Sequence, residues 1–196
     1  MFIRWKVSRG VVILTGLSIF SAFAFAQGFE VSGFGAGMTM DSGIGTHGVY
    51  GGNAAFRLGD NVHLFGEVSH ATLLTENISG VSAGGKVTNY GGGADVSFRS
   101  PTSRVRPYVA VGLGVGHFYA TGSGSANGSS VNLSLTVTNA LYAEIGGGAR
   151  VYLGKHWGLK PEAVYTRYNS SNSGLLGGTV ASSNAVQYKI GVFFGY

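Results

Sequence analysis

Tyr188-Lys-Ile-Gly-Val-Phe-Phe-Gly-Tyr196 closes the sequence, and it reads as a strand with two unlike faces. Tyr188, Ile190, Val192, Phe194 and Tyr196 fall on one side, and Lys189, Gly191, Phe193 and Gly195 on the other. Alternation of this kind is the period-2 signature of an extended chain. Chain termini usually fray, yet here the apolar face runs to the last residue. The expectation is a C-terminal strand locked into a sheet.

The opposite end reads differently. Arg4, Lys6 and Arg9 precede an uncharged apolar run from Val11 to Ala26, which closes on Ala24-Phe25-Ala26. That order is the pattern of a cleaved export leader. A retained anchor helix is the alternative, but a run of about 16 residues falls short of the ~20 a spanning helix needs. We therefore expect residues 1–26 to be a signal peptide, cut after Ala26, and residues 27–196 to form one domain. Of the 13 basic residues three lie in the leader, so the mature part carries 10 against 8 acidic residues, a net charge of +2 rather than +5. So small an excess gives no reason to expect nucleic acid as a partner. The chain has no cysteine, so no disulfide framework supports it.

Composition narrows the class further. Only 11% of residues are charged, against about 25% in ordinary soluble domains. There are 35 glycines and 12% aromatics. Beyond Ala26 the longest apolar segment is Val109-Ala-Val-Gly-Leu-Gly-Val115, whose glycines disfavour a helix. A chain that crosses a membrane must satisfy its backbone with helices or a closed barrel. Without helices, the barrel remains.

Eight alternating segments follow one another, at about 28–39, 46–58, 61–73, 86–99, 104–119, 135–152, 157–168 and 184–196. The fifth is the clearest: Val105, Pro107, Val109, Val111, Leu113 and Val115 oppose Arg104, Arg106, Tyr108, Ala110, Gly112, Gly114 and Gly116. The connections at 59–61, 100–103 and 154–156 are short, whereas 74–85, 120–134 and 169–183 are long and rich in Ser, Gly and Asn. Short periplasmic turns and long outer loops are the rule for membrane barrels. An even strand count then places both mature termini on the periplasmic side. The fold class expected is all-β, an eight-stranded antiparallel up-and-down transmembrane barrel.

Parity sets the turns. Leu58 and Val62 share the apolar face, as do Leu153 and Trp157, so each hairpin needs an odd turn, most simply three residues. Asn61 is expected in the left-handed position of the first. Pro107 and Pro161 sit inside strands that a closed barrel gives no free edge, and rim bulges would accommodate them. Tyr50, Tyr90, Phe98, Trp157, Tyr165, Tyr188 and Tyr196 share the lipid-facing parity, several near strand ends where interfacial aromatics belong.

On Val105-Arg-Pro-Tyr-Val-Ala-Val-Gly-Leu-Gly-Val115 and the terminal strand, the chain resembles the small eight-stranded outer-membrane barrels of the OmpA/OmpX type, over the whole of residues 27–196. The resemblance implies a bacterial outer-membrane location and a monomer among outer-membrane lipids. It also implies that Tyr188, Ile190, Val192, Phe194 and Tyr196 form the signal read by the barrel-assembly machinery. It identifies an architecture far better than an activity.

The inward parity collects Arg57, Glu67, Asp95, Arg106, Glu144, Arg150, Lys160, Glu162 and Lys189. Arg57, Arg106, Arg150, Lys160 and Glu162 are expected near the periplasmic end, and Glu67, Glu144 and Lys189 nearer mid-height. An eight-stranded barrel has room only for side chains, so mixed charges there are expected to form a structural ion-pair network. A water path through them would instead make a narrow pore for small solutes.

The histidines carry less. His47 and His63 face inward, His70 and His117 lie near the outer end, and His156 is in a turn. No H-x-x-x-H or H-E-x-x-H spacing occurs, so neither a metal nor a cofactor is expected. The resemblance includes lipid A-modifying barrels that use His with Ser and an acid at the outer rim. His70 or His117 near Ser69 or Thr121 would be the counterpart, but only Glu76, in a loop, offers an acid, so no enzyme is expected. Gly112-Leu-Gly114-Val-Gly116 lies within a strand and opens no helix, so it is no dinucleotide loop. Asn77, Asn127, Asn132 and Asn169 precede x-Ser, which we read as loop composition. The long loops are almost uncharged, which disfavours capture of polyanions and leaves a protein or glycan as the ligand they suit. The role expected is a structural surface protein, with adhesion or binding through those loops.

Overall fold

A computed structural model describes residues 28–41, 46–78, 81–98, 102–126, 129–169 and 182–196, with side chains described at all of these but 74–84 and 120–138. Eight strands follow in order: β1 (Gly28–Met40), β2 (Thr46–Leu58), β3 (Val62–Ile78), β4 (Val81–Ser97), β5 (Val105–Ala126), β6 (Ser129–Tyr152), β7 (Trp157–Asn169) and β8 (Ser183–Gly195). Each pairs antiparallel with the next, and β8 returns to β1, closing the barrel. Closure leaves no sheet edge along the barrel wall, which is how an all-β chain satisfies its backbone in lipid. Leaders and loops outside these ranges, the expected cleavage after Ala26 and most of 169–183 included, lie beyond the described residues.

The seam between β1 and β8 is tied at both ends. At one, Phe29 and Tyr196 exchange backbone hydrogen bonds of 3.1 and 2.8 Å, and the His156 ring stacks on Tyr196 at 5.3 Å. At the other, Asp41 accepts from the Asn184 backbone N–H (3.0 Å), Asn184 Nδ2 (2.6 Å) and Ser183 Oγ (3.0 Å).

Facing follows the alternation. Val31, Leu64, Val68, Val109, Val111, Leu113, Leu141, Ile145, Ile190 and Val192 are exposed on the outside, as are the seven aromatics Tyr50, Tyr90, Phe98, Trp157, Tyr165, Tyr188 and Tyr196. Among the described side chains, only Lys86 and Arg167 put a charge on an outward strand position, both near the ends of their strands away from the short turns. Water would strongly disfavour this surface, whereas hydrocarbon suits it.

Leu58 pairs with Val62 across a three-residue turn, as parity requires. The left-handed conformation falls on Gly59 (φ 69°), the first turn residue, where the expectation was Asn61; glycine takes that conformation without the Cβ clash. The prolines also differ from expectation, since the pairing around both is in register. Pro107 pairs with Ala149 on one side, and on the other its carbonyl accepts from the Phe98 N–H at 3.0 Å. A strand residue aims its N–H and C=O at the same neighbour, so the missing donor meets Phe98, just beyond the end of β4. Pro161 pairs with Ile190, and the β6–β7 ladder skips the two rungs opposite Lys160 and Pro161. Ladder ends and gaps, not bulges, accommodate them. The bulges lie towards the other end, between Leu73 and Thr75 and opposite His117/Phe118.

The largest difference is in length. Most of 74–85 and 120–134, expected as loops, continues the strands: β3 and β4 pair as far as Ile78 and Val81, and β5 and β6 as far as Ala126 and Ser129. β2 pairs with β3 only to Ala71, and β7 with β6 only to Leu141. A four-stranded sheet, β3 to β6, therefore rises beyond the rest of the barrel.

Candidate functional site: the barrel lumen

Each inward charge is placed by strand parity, and antiparallel pairing sets its height. Towards the short-turn end, Arg150 on β6 is fully buried and forms the centre of a cluster. Its Nη1 and Nη2 donate to the two Asp95 oxygens at 2.9 and 2.8 Å, a bidentate pair. Its Nε donates to Glu30 at 2.7 Å. His63 Nδ1 lies 3.1 Å from Asp95, and Lys160 Nζ lies 3.3 Å from the second Glu30 oxygen. Beneath both cations lies the Tyr108 ring, 4.7 Å from the Arg150 guanidinium and 5.5 Å from Lys160 Nζ.

Tyr108 links this layer to the next by donating its hydroxyl to Glu162 at 2.5 Å. Lys189 Nζ stands 3.6 Å from Glu162 and 2.7 Å from Glu67, over the Phe34 ring. Glu144 reaches across Gly112, where a Cβ would lie 2.6 Å from its carboxylate. Arg57 and Arg106 sit closest to the turns, where Arg106 lies over the Tyr152 ring at 4.4 Å.

Glu30, absent from the sequence-based set, completes it. Five inward cations (Arg57, Arg106, Arg150, Lys160, Lys189) then meet five inward carboxylates (Glu30, Glu67, Asp95, Glu144, Glu162) among the described residues. The sequence holds the signal as an imbalance of five against four, but the glycines of β1 blur its faces.

Beyond the charged layers the lumen turns apolar. Met38, Met40, Val49, Ala71, Val87, Ala140, Tyr142, Tyr168 and Ala185 are buried together, with Ala36, Leu73 and Phe118 packed against them. Asn89 is held inside this layer by the hydroxyls of Tyr168 (3.1 Å) and Ser69 (3.4 Å). The expectation of a charged lumen thus describes its lower part alone.

Among the described side chains His70 and His117 are not joined with Ser69 in one group. Ser69 points inward, whereas His70 points outward, 2.9 Å from the Thr88 hydroxyl and beside the Tyr50 ring. His117 packs edge-on against Tyr90 on the outer surface. The side chains of Thr121 and Glu76 lie outside those described. No group of three metal-ligating side chains occurs among the described residues.

No protein-family profile and no curated protein matches the sequence. Solved structures do. Neisserial surface protein A (NspA) is 17% identical with a TM-score of 0.62, over 85% of this chain and 96% of that one. A major outer membrane protein from Thermus thermophilus is 12% identical, TM-score 0.61, over 86% and 98%. Ail, the attachment invasion locus protein of Yersinia pestis, is 14% identical, TM-score 0.52, over 86% and 97%. At these identities the likeness concerns architecture, and it agrees with strand count, order and closure: the chain has the fold of the small eight-stranded outer-membrane β-barrels of the OmpA/OmpX type.

Proposed function

We propose that this is a resident barrel of a bacterial outer membrane, with a structural and surface role rather than a transport role. The observation that carries the reading is the filled lumen: ion pairs in its lower layers and a packed apolar layer above them. Charges buried this way are costly to separate, and above them the Tyr142, Tyr168 and Phe118 rings pack against one another. In this reading residues 1–26 are removed after Ala26, and both mature ends lie in the periplasm. The barrel-assembly machinery recognises Tyr188, Ile190, Val192, Phe194 and Tyr196, and the barrel sits as a monomer among outer-membrane lipids. The sheet rising from β3 to β6 then stands on the cell surface, where it presents a protein or glycan partner with a polar, nearly uncharged surface. The network of Arg57, Glu67, Asp95, Arg106, Glu144, Arg150, Lys160, Glu162 and Lys189 serves stability, not chemistry.

Single-channel recording of the folded protein in planar bilayers tests this. The expected result is silence, and steady ohmic conductance in the wild-type protein would refute it.

A further inference from the structure

The outer wall of the barrel changes chemistry along one line. Tyr50, His70, Thr88, His117 and Asn139 stand directly opposite one another in successive ladders from β2 to β6, so they form one cross-strand row on the outward face. Two residues towards the short turns, the matching row is Val68, Tyr90, Val115 and Leu141. Two residues the other way, Lys86 stands between Thr72 and Tyr119. Among the described residues no acidic side chain faces outward on any of these five strands.

The two histidines are fixed in place. His70 Nδ1 lies 2.9 Å from the Thr88 hydroxyl and its ring leans on Tyr50 at 5.4 Å, which leaves Nε2 to face a ligand. His117 packs edge-on against Tyr90 at 5.5 Å. Neighbouring strands lie ~4.8 Å apart, so the imidazoles flank Thr88 with about 10 Å between their strands, and Lys86 stands about 7 Å along β4 from Thr88. A cation and two imidazoles thus surround one hydroxyl at the edge of an apolar wall. At the short-turn end the same strands turn Leu58, Val62, Val96, Val105 and Val151 outward, with no counterpart of this group among the described residues.

A molecule that satisfies both sides of the line is an amphiphile. Its acyl chain lies against Val68, Tyr90, Val115 and Leu141, and its head carries negative charge to Lys86. We propose that Lys86, His70, His117 and Thr88 bind the phosphate of an anionic lipid headgroup. Hydrogen bonds to an ionised phosphate are about twice as strong as neutral ones, and lysine meets it as a point charge. The inference rests on lipid covering this wall, as the reading above has it.

The test reads lipid preference locally. The chain has no cysteine, so Val68→Cys carries a single bimane label one row from the site. Ile190→Cys carries one on β8, exposed on the same outer wall but away from the site. The protein is folded into phosphatidylcholine vesicles, and quenching by brominated phosphatidic acid is compared with quenching by brominated phosphatidylcholine at fixed ionic strength. At position 68 the phosphatidic acid is expected to quench at about fivefold lower mole fraction, the ~1 kcal/mol that one lysine contributes near an anionic headgroup. Lys86→Gln, at an exposed position, is expected to remove most of that preference, and His70→Gln with His117→Gln to lower it. At position 190 the two lipids are expected to quench alike. Equal quenching at position 68, an equal preference at position 190, or a preference that survives all three substitutions overturns the proposal. Quenching by neither lipid at either position refutes the membrane reading itself, which separates the two failures.

Discussion

Arg150 has no exposed surface and satisfies two carboxylates at once. Arg150→Met removes the cation while leaving Glu30 and Asp95 buried, and breaking a buried pair from one side costs about 3–5 kcal/mol. Urea unfolding in lipid vesicles should show a loss of that size. The triple variant Arg150→Met, Glu30→Gln, Asp95→Asn should recover part of it, since neighbouring effects within one network do not add. At the seam, the Asn184 backbone N–H, aided by the Asn184 and Ser183 side chains, holds the Asp41 carboxylate below its ordinary range. A carboxylate with a lowered folded pKa stabilises above its unfolded value of ~3.9, and the contribution is lost as pH falls through the folded value. The Asn184 amide resonance should therefore titrate with a midpoint below ~3.9, and a midpoint at or above that value contradicts the clasp. Residue facing was legible in the sequence because parity alone decides it, so the inward set needed no knowledge of contacts. Glu30 was not, because glycines at 28, 33, 35 and 37 leave β1 without a clear apolar side.

Strands carry information that single residues do not. β8 exposes Tyr188, Ile190, Val192 and Phe194 on its outer face while its inner face holds Gln187, Lys189 and Phe193. Its pairing to both β1 and β7 closes the barrel. If the outer face is also the assembly signal, Phe194→Ala with Tyr196→Ala should cut the amount of folded barrel recovered from the membrane of an expressing cell. Refolding of the same variant in detergent should change little, because both side chains are exposed and bury little on folding. An equal loss in both settings would make the strand a matter of stability instead. Element lengths were the least legible feature. Val131-Asn-Leu-Ser-Leu-Thr-Val137 alternates as cleanly as many strands, yet the Ser, Gly and Asn around it resemble loop composition. Past the ends of β2 and β7, hairpin hydrogen bonding and β-branched residues sustain the ladder. The prolines were misjudged for a related reason. A missing donor needs only a neighbour whose rung is absent, and ladder ends or gaps provide one without an extra residue.

For the whole molecule the layers of the lumen decide what the barrel can pass. The charged layers alone resemble the lining of a narrow pore, and a reading restricted to Glu67, Glu144 and Lys189 would place the gate there. The apolar layer beyond them changes that expectation. Met38, Val87, Tyr142 and Tyr168 are each buried within it, and the Tyr142 and Tyr168 rings lie 5.5 Å apart, with Phe118 edge-on to Tyr168 at 5.6 Å. Rings packed at this spacing narrow the lumen, and in the proposed reading they close it to hydrated ions. Removing charge below the layer should therefore leave the barrel silent: Glu67→Ala with Glu144→Ala should show no conductance in planar bilayers. Truncating the rings, by Tyr142→Ala with Tyr168→Ala, creates a cavity that should cost about 3–5 kcal/mol per ring. In any fraction that still folds it should admit water, because the Asn89 side chain then loses its Tyr168 partner and faces the new space. Intermittent conductance should appear in this variant and fall again when Tyr168 alone is restored. Conductance in the glutamate variant, with the rings intact, would show that the charged layers are the barrier and that the apolar layer leaks.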